Sequence, residues 1–278
     1  MADRLAARQD PAAFDQAAAA YDTEFAGTTI GVRLREAVWS RVAPFVKPGM
    51  HALDFGCGTG EDALWLARTG CRVTAADGSP EMLDHLAAKA SRFNLAHRVK
   101  PIVLDLNAPL ESAPPGHPFD LAISNFGAIN CVDDLGALAG RLEKWVKPDG
   151  VVALIFMGRF CVWESAYYAA RLDRRAMRRW SGRTRAVVGR QTLEIRYWSN
   201  REMMRAFAPA FGVIGVYGIG TFLPPSYLFH WFERWPRLLG ALARLERGAG
   251  QIWPVSRMAD QTMIILRRAA ANSGIRQP

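Results

Sequence analysis

A glycine-rich segment, LDFGCGTGEDALWLA at residues 53–67, constrains the fold of this chain more than any other feature. A short apolar burst ends at Asp54 and Phe55, and an apolar pattern with helical spacing begins near Glu61. Between them, glycines stand at alternate positions: Gly56, Gly58 and Gly60. Glycine permits a sharp turn and a close approach of the backbone to a ligand, and the free N–H groups at a helix start face that ligand. The segment therefore predicts a strand, a ligand-binding loop and a helix in succession.

The first half of the chain continues this rhythm of short apolar bursts and helical patterns. Strands are predicted at residues 51–55, 72–76, 99–104, 119–124 and 151–157. Pro101 lacks the N–H that an inner strand donates, which places the third strand at an edge of the sheet. Alternating strands and helices in this order predict an α/β fold with a parallel sheet between two layers of helices.

The rhythm changes after residue 158. Residues 161–180 have helical spacing, whereas residues 192–198 alternate between apolar and polar side chains like a strand. Two further strands are predicted at 213–221 and 262–266, and an aromatic-rich insertion lies between them. These elements would close the sheet that the first half begins.

Acidic and amide side chains follow the predicted strands. Asp54, Asp77, Asp105 and Asn125 stand at the ends of the first, second, third and fourth strand. Ligands of open α/β sheets bind beside these carboxyl ends, and an acid after the second strand suits ribose hydroxyls. A dinucleotide-binding loop would carry Gly or Ala where Glu61 stands, and Asp54 would repel a diphosphate. The pattern disfavours a nicotinamide oxidoreductase and favours a cationic ligand.

Five segments of the first half carry a family resemblance: AYDTEF (20–25), LDFGCGTG (53–60), ADGSPEML (76–83), VLDL (103–106) and FDLAISNFGAIN (119–130). Together they resemble the class I S-adenosylmethionine-dependent methyltransferases, especially their small-molecule branch. The resemblance covers roughly residues 12–158. It implies a Rossmann-like, seven-stranded, mostly parallel sheet with helices on both faces, an N-terminal helical lid and C-terminal insertions. It also implies S-adenosyl-L-methionine as the cofactor.

The resemblance assigns cofactor contacts to particular residues. The glycine loop would line the methionine part, with Asp54 supporting the loop and the ammonium, while Asp77 would hold the ribose. Asp105 would accept from the adenine amino group, and Tyr21 would lie in the lid. The full set of implied cofactor residues is Tyr21, Asp54, Gly56, Cys57, Gly58, Thr59, Gly60, Asp77, Gly78, Met82, Asp105, Leu106, Asn125 and Phe126.

We expect a single methyltransferase domain over residues 1–278, because no Gly/Ser/Pro-rich linker separates the halves. Its expected parts are an N-terminal helical lid (1–46), a cofactor-binding core (47–158), an Arg-rich helical insertion (159–191) and closing strands (192–278) with an aromatic insertion at 223–260.

The two halves of the chain differ in charge. Residues 1–150 hold 15 Lys and Arg against 19 Asp and Glu, whereas residues 151–278 hold 20 Arg, no Lys and 7 acids. Five arginines recur at helical spacing and predict a cationic stripe: Arg171, Arg174, Arg175, Arg178 and Arg179. Such a split suggests contact with nucleic acid, a membrane surface or an acidic substrate. A coding bias toward arginine and a solvated helix face explain the same counts, so basicity alone assigns no partner.

Cysteine usage and the chain start bear on location. The four cysteines form no CxxC pair and have no histidine at metal-site spacing, which predicts neither a zinc site nor a disulfide framework. The first twenty residues contain no apolar block of a secretory signal, and glycines and prolines interrupt the uncharged stretch at 206–232. We therefore expect a cytoplasmic protein, with peripheral membrane contact left open.

The acceptor side is less determined by the sequence. Pocket-lining candidates are Asn130, Trp163, Tyr167, Tyr227 and His230, and no catalytic residue is assigned. The fourth strand ends in SNFGAIN rather than the Asn/Asp-Pro-Pro-aromatic motif of amino-methylating nucleic-acid enzymes, and no metal constellation is present. We expect metal-independent methylation of an O or N atom of a small aromatic or lipophilic metabolite, with no specific nucleic-acid partner. The alternatives are an RNA or protein methyltransferase and a non-catalytic cofactor-binding protein.

Overall fold

The computed structural model describes residues 14–108, 113–188, 191–225, 228, 232, 234–249, 252 and 254–270. Its strands are β1 (His51–Phe55), β2 (Arg72–Asp77), β3 (Val99–Val103), β4 (Phe119–Ser124), β5 (Val146–Met157), β6 (Arg183–Val188), β7 (Gln191–Arg196), β8 (Phe211–Ile219) and β9 (Gln261–Arg268). Its α-helices are α1 (Asp15–Tyr21), α2 (Thr29–Val42), α3 (Glu61–Arg68), α4 (Pro80–Arg92), α5 (Leu135–Trp145), α6 (Val162–Ala169), α7 (Asn200–Phe207) and α8 (Pro236–Ala249).

Seven strands form one sheet in the order β3-β2-β1-β4-β5-β9-β8. The first five in this order are parallel, and Leu53 of β1 lies between Thr74 of β2 and Ala122 of β4. Strand β9 is antiparallel to both of its neighbours. The predicted fold class is confirmed, and β3, which carries Pro101, lies at an edge as predicted.

The sheet has a buried apolar layer on each face. Successive residues of β1 point to opposite faces, so Ala52 joins one core while Leu53 and Phe55 join the other, and all three are fully buried. Helices α2, α3 and α4 contribute to the first core, and α5 and α7 to the second. Burial on both faces explains why these strands read as continuous apolar runs.

The N-terminal helices are attached to the loop edge of the sheet by polar contacts. A π-helix over Asp22–Ala26 follows α1, and the Asp22 carboxylate pairs with Lys89 Nζ at 2.6 Å. Lys89 also pairs with Glu61 at 2.8 Å, and the Thr59 hydroxyl donates to Asp22 at 2.6 Å. The predicted helical segment therefore rests on the residues that follow the glycine loop.

The prediction of one continuous helix over residues 161–180 is wrong. Helix α6 ends at Ala169, Leu172 adopts a left-handed backbone with φ of 53°, and Asp173 caps a separate 3-10 helix over Arg174–Ser181. The expected helical insertion at 159–191 also contains β6, which pairs with β7 in a separate antiparallel hairpin.

The predicted cationic stripe is wrong for two of its five members. The Glu164 carboxylate accepts hydrogen bonds from Arg178 and Arg179. Arg179 also donates to a second carboxylate, that of Asp260, at 2.6 Å. The side chains of Arg179 and Glu164 are 5% and 2% exposed. The charges of Arg178 and Arg179 are therefore neutralised by carboxylates within the fold. The break in the helix at Leu172 separates both arginines from Arg171.

The aromatic insertion contributes α8, which one buried carboxylate anchors to the sheet. Glu246 accepts from four consecutive backbone N–H groups, those of residues 220–223, at 2.8 to 3.3 Å. Tyr227 and His230 of this insertion lie outside the described residues. Across the described ranges, no helix combines the length and apolar character needed to cross a bilayer.

Candidate functional site

A cavity of about 240 Å³ lies where the loops after the parallel strands meet the N-terminal helices. Its walls come from α1 and α2, from the segments after β1, β2, β3 and β4, from the end of β5 and from β7. This is the carboxyl edge of the sheet, where open α/β folds bind ligands.

The glycine loop shapes one wall of the cavity. Gly56 and Gly60 both have left-handed backbones, with φ of 68° and 86°. A Cβ on Gly56 would lie 2.1 Å from the Cβ of Ala128, and one on Gly60 would lie 2.0 Å from Leu86 Cδ1. Both positions require glycine, because the left-handed backbone disfavours other residues and because a Cβ would clash with its neighbours.

Gly58 lines the cavity, as Gly56 does, but has open space around its Cα. Its φ is 51°, and a Cβ there would meet only Tyr21 Cε1 at 3.9 Å and Met82 Sδ at 4.0 Å. The Gly58 N–H donates to Asp77 Oδ2 at 2.7 Å, and Ser79 N–H donates to Asp77 Oδ1 at 3.0 Å. Asp77 thus fixes the loop and faces the cavity with the same carboxylate.

Burial dominates the ionisation of the two acids at the ends of β1 and β2. It raises the pKa of Asp77, although backbone N–H groups of Ser79, Gly58 and Gly78 oppose this shift. Asp54 is 1% exposed, and its Oδ2 has no hydrogen-bond partner among the described residues. Burial raises the pKa of Asp54 well above its ordinary value, and the nearby charge of Asp62 adds to this. A cation in the cavity would oppose both shifts, because a nearby positive charge favours the ionised carboxylates.

A buried polar network beside the loop was not predicted. Asp62 on α3 accepts from Trp39 Nε1 at 2.6 Å and from Asn125 Nδ2 at 3.2 Å, and Arg35 Nε lies 3.6 Å from it. The Phe126 ring lies 4.8 Å from the Arg35 guanidinium. Arg35 and Trp39 recur at i, i+4 on α2, which is the one sequence signal that could have paired them.

Eleven of the fourteen implied cofactor residues line the cavity: Tyr21, Gly56, Cys57, Gly58, Asp77, Gly78, Met82, Asp105, Leu106, Asn125 and Phe126. Asp54 lies buried behind the loop, Thr59 is bonded to Asp22, and Gly60 packs on Leu86. The structure thus brings the implied residues together, three of them as support rather than as wall.

The three acceptor candidates that the structure describes, Asn130, Trp163 and Tyr167, do not line the cavity. The Asn130 amide is fully buried and bonded to the backbone of Met157 and Arg196, because it joins β5 to β7. Trp163 donates to the carbonyl of Thr221, and Tyr167 faces the Arg171 guanidinium at 3.7 Å. Tyr227 and His230 fall in ranges that the structure does not describe.

Part of the cavity wall is made of apolar side chains that belong to one packed cluster. They are Phe14, Cys131, Met157, Leu193 and Ile195. Leu193 and Ile195 belong to β7, so the β6-β7 hairpin supplies part of this wall. The alternation of apolar and polar side chains at 192–198 predicted a strand there, but it did not predict that this strand pairs with β6.

We expect Gly56→Ala to lower the free energy of unfolding by about 3 kcal/mol, because an added Cβ would combine backbone strain with overpacking against Ala128. Chemical denaturation measures this difference. Gly140→Ala is the matched control, because Gly140 lies within α5 and a Cβ there meets nothing within 4 Å. The control should be neutral or stabilising; equal stability of the two variants would contradict the loop geometry.

Comparisons with known proteins agree with this geometry. The family model described as a methyltransferase domain matches residues 52–150. The malonyl-[acyl-carrier protein] O-methyltransferase of Pectobacterium atrosepticum is 32% identical over 126 residues, covering 45% of this chain and 46% of that protein. The 23S rRNA (uracil(1939)-C(5))-methyltransferase of Pseudomonas fluorescens is 32% identical over 124 residues, or 42% and 27% of the two chains. The chain thus spans less than half the length of either relative.

Among solved structures, the fold extends over nearly the whole chain. A Haloferax volcanii complex of the Trm112 methyltransferase activator and a methyltransferase matches with a TM-score of 0.58 and 15% identity, covering 95% of this chain and 98% of that one. The glycine loop, the acids after the strands, the strand order and the matching family model lead to one assignment. Residues 52–150 match a methyltransferase domain, and the chain has the Rossmann-like fold of the methyltransferases that it resembles.

Proposed function

We propose that this protein binds S-adenosyl-L-methionine in the cavity at the carboxyl edge and transfers its methyl group to a small apolar acceptor. The observation that carries the proposal is the joint placement of eleven implied cofactor residues around one cavity whose wall also contains an apolar cluster. Bound, the cofactor supplies a methyl group on a positively charged sulfur.

Three observations support the fit between the cavity residues and this cofactor. Gly58 leaves open space toward the cavity, the Asp77 carboxylate faces it from the end of β2, and Asp54 Oδ2 is buried without a hydrogen-bond partner among the described residues. Asp77 would hold the ribose hydroxyls, while Asp105 and Leu106 would hold the adenine. The buried acids suit a ligand with an ammonium and a sulfonium.

The chain's contribution to the reaction is positioning. An in-line displacement needs acceptor, methyl carbon and sulfur held in line, and this alone lowers the barrier by several kcal/mol. Asn125 and Phe126 are held at the end of β4, the first by Asp62 and the second by a left-handed backbone with φ of 49°. These two residues would fix the methionine part while the apolar wall orients the acceptor.

Among the described residues that line this cavity, the groups that could accept a proton at neutral pH are the carboxylates of Asp62, Asp77 and Asp105. Burial raises the pKa of Tyr21 to about 12, so its phenol stays protonated at neutral pH. Among the described lining residues there is no histidine or lysine. These carboxylates have roles in the proposed cofactor site, so the acceptor would be an oxygen or nitrogen atom that loses its proton readily or carries none. Its apolar body would fit against Leu193 and Ile195.

Transfer of labelled methyl groups tests the function. Protein incubated with methyl-tritiated cofactor should place label in the organic-soluble small-molecule fraction of an extract. Label confined to RNA or protein would contradict the small apolar acceptor and support the alternatives raised by the basic second half. Cofactor binding without labelling of any fraction would instead support a non-catalytic cofactor-binding protein. The cytoplasmic location stays a prediction.

A further inference from the structure

Helix α8 has apolar side chains on two different sides. Leu239 and Ala243 are buried in the core to which α2 and α3 also contribute. Trp235 directly precedes the helix, and its carbonyl accepts from the Leu239 N–H at 3.0 Å. Trp235, Leu238 and Leu245 are 62%, 43% and 48% exposed. A helix that only covers a core keeps its apolar residues on the buried side, so the second side indicates a further partner.

The apolar residues of the second side form one stripe along the helix. Trp235, Leu238, Leu242 and Leu245 follow each other at intervals of three, four and three residues. With about 3.6 residues per turn, such intervals place side chains next to one another on the helix surface. Leu242 is half-buried and packs against the core, so the stripe begins at the border of the buried side. We call these four residues the apolar stripe.

The exposed charges of α8 are all positive. Arg237, Arg244 and Arg247 are exposed, and Arg234 is exposed just before the helix. The one acid in the α8 sequence, Glu246, is buried and accepts from the backbone N–H groups of residues 220–223. The helix therefore presents apolar and cationic side chains together, with no exposed acid of its own between them.

This combination distinguishes between the partners that could cover the stripe. A second copy of the chain, docked stripe to stripe, would bring the arginines of two α8 helices together and pair like charges. Nucleic acid would accept the arginines on its phosphates but would leave Leu238 and Leu245 without an apolar partner. A lipid surface with anionic headgroups matches both features, because acyl chains take the leucines and headgroups attract the arginines.

We propose that α8 docks this protein on an anionic lipid surface, with the apolar stripe turned toward the acyl chains. Trp235, at the start of the stripe, suits the boundary between headgroups and chains, where tryptophan is enriched. Glu246 fixes α8 to the segment after β8, so the stripe is presented without any opening of the core. Docking needs no cofactor and is measured without it, so its outcome is separate from that of the proposed function.

Sedimentation with vesicles tests the docking. The wild-type protein should sediment with vesicles made of equal parts of phosphatidylcholine and phosphatidylglycerol, and the bound fraction should fall as salt is added. Leu238→Gln combined with Leu245→Gln should weaken this binding about tenfold or more, as should Arg237→Gln combined with Arg244→Gln. Circular dichroism establishes that each variant is folded. If the leucine variant does not fold, the arginine variant tests the proposal, since it leaves every apolar contact in place.

Helix α7 supplies the matched control, because Met203 and Phe207 pack it against the opposite face of the sheet. Arg201 and Arg205 are exposed on it. Arg201→Gln combined with Arg205→Gln removes the same charge and should change vesicle binding less than about twofold, because these charges would be screened from the lipid. Equal losses from the α7 and α8 arginine variants would overturn the proposal. So would absence of wild-type binding to the anionic vesicles, or equal binding to vesicles of phosphatidylcholine alone.

Two other results would assign this side of α8 to a different partner. A wild-type mass that rises with concentration, without vesicle binding, would make the apolar stripe an interface between copies if Leu238→Gln with Leu245→Gln abolished the rise. Binding of RNA without vesicle binding, lost in Arg237→Gln with Arg244→Gln, would make the arginines a nucleic-acid surface. Either result would overturn docking on lipid.

Discussion

Asp77→Ala is expected to weaken binding of S-adenosylmethionine and S-adenosylhomocysteine by about 100-fold or more. The substitution removes the acceptor proposed for the ribose hydroxyls and also the group that holds Gly58 N–H at 2.7 Å and Ser79 N–H at 3.0 Å. Ligand contact and loop shape are therefore lost together. Isothermal titration calorimetry measures the affinity, and circular dichroism establishes that the variant is folded.

Asp84→Ala is the control for this experiment. Asp84 lies on α4 close in sequence to the loop, but its side chain is exposed and does not line the cavity. Its removal should leave both affinities unchanged. If folded Asp77→Ala bound as tightly as the wild-type protein, Asp77 would not be the cofactor residue that the motif and the geometry indicate.

Glu164→Ala is expected to cost about 3 kcal/mol of the free energy of unfolding. It would leave Arg179 buried without the carboxylate that accepts from its Nε and Nη2. Urea denaturation measures the change. Arg175→Ala removes a solvent-exposed pair with Asp173 but keeps the backbone N–H that this aspartate caps, and should leave the denaturation midpoint nearly unchanged. Similar midpoints for the two variants would show that burial does not strengthen the Glu164 cluster.

The same cluster predicts a pH dependence of stability. Burial opposes ionisation of Glu164, but hydrogen bonds from Arg178 and the charge of Arg179 hold its pKa below the ordinary value. Since the folded pKa is lowered, the stabilisation is complete above the ordinary glutamate pKa and is lost as the pH falls through the lowered one. The stability gap between wild type and Glu164→Gln should therefore narrow on acidification. A gap that stays constant down to the acid transition would argue against an ionised Glu164.

Local patterns explain which parts of the fold could be predicted from the sequence. Strands in the first half are short apolar runs bounded by turn residues, and Pro101 alone placed β3 at the edge. The glycine loop and the acids after β1 to β3 could be predicted because each is defined by residues that lie next to it in the sequence. The resemblance then assigned roles that the residues alone would not have given.

Contacts between distant residues account for what the sequence did not reveal. The five arginines suggested one helical stripe, but Glu164 and Asp260 neutralise Arg179 from positions 15 and 81 residues away. Likewise, Asp62 meets Trp39 across 23 residues and Asn125 across 63. Neither pairing leaves a periodic signal, so the polar network beside the loop emerged only from the fold.

A crystal structure of the chain with S-adenosylhomocysteine would test the central claim most directly. We expect adenosine beside Met82 and Leu106, ribose hydroxyls on the Asp77 carboxylate, and the amino-acid part along the glycine loop. The sulfur should face the apolar wall that contains Leu193 and Ile195. Ligand bound elsewhere on the chain, or bound in this cavity without contact to Asp77, would contradict it.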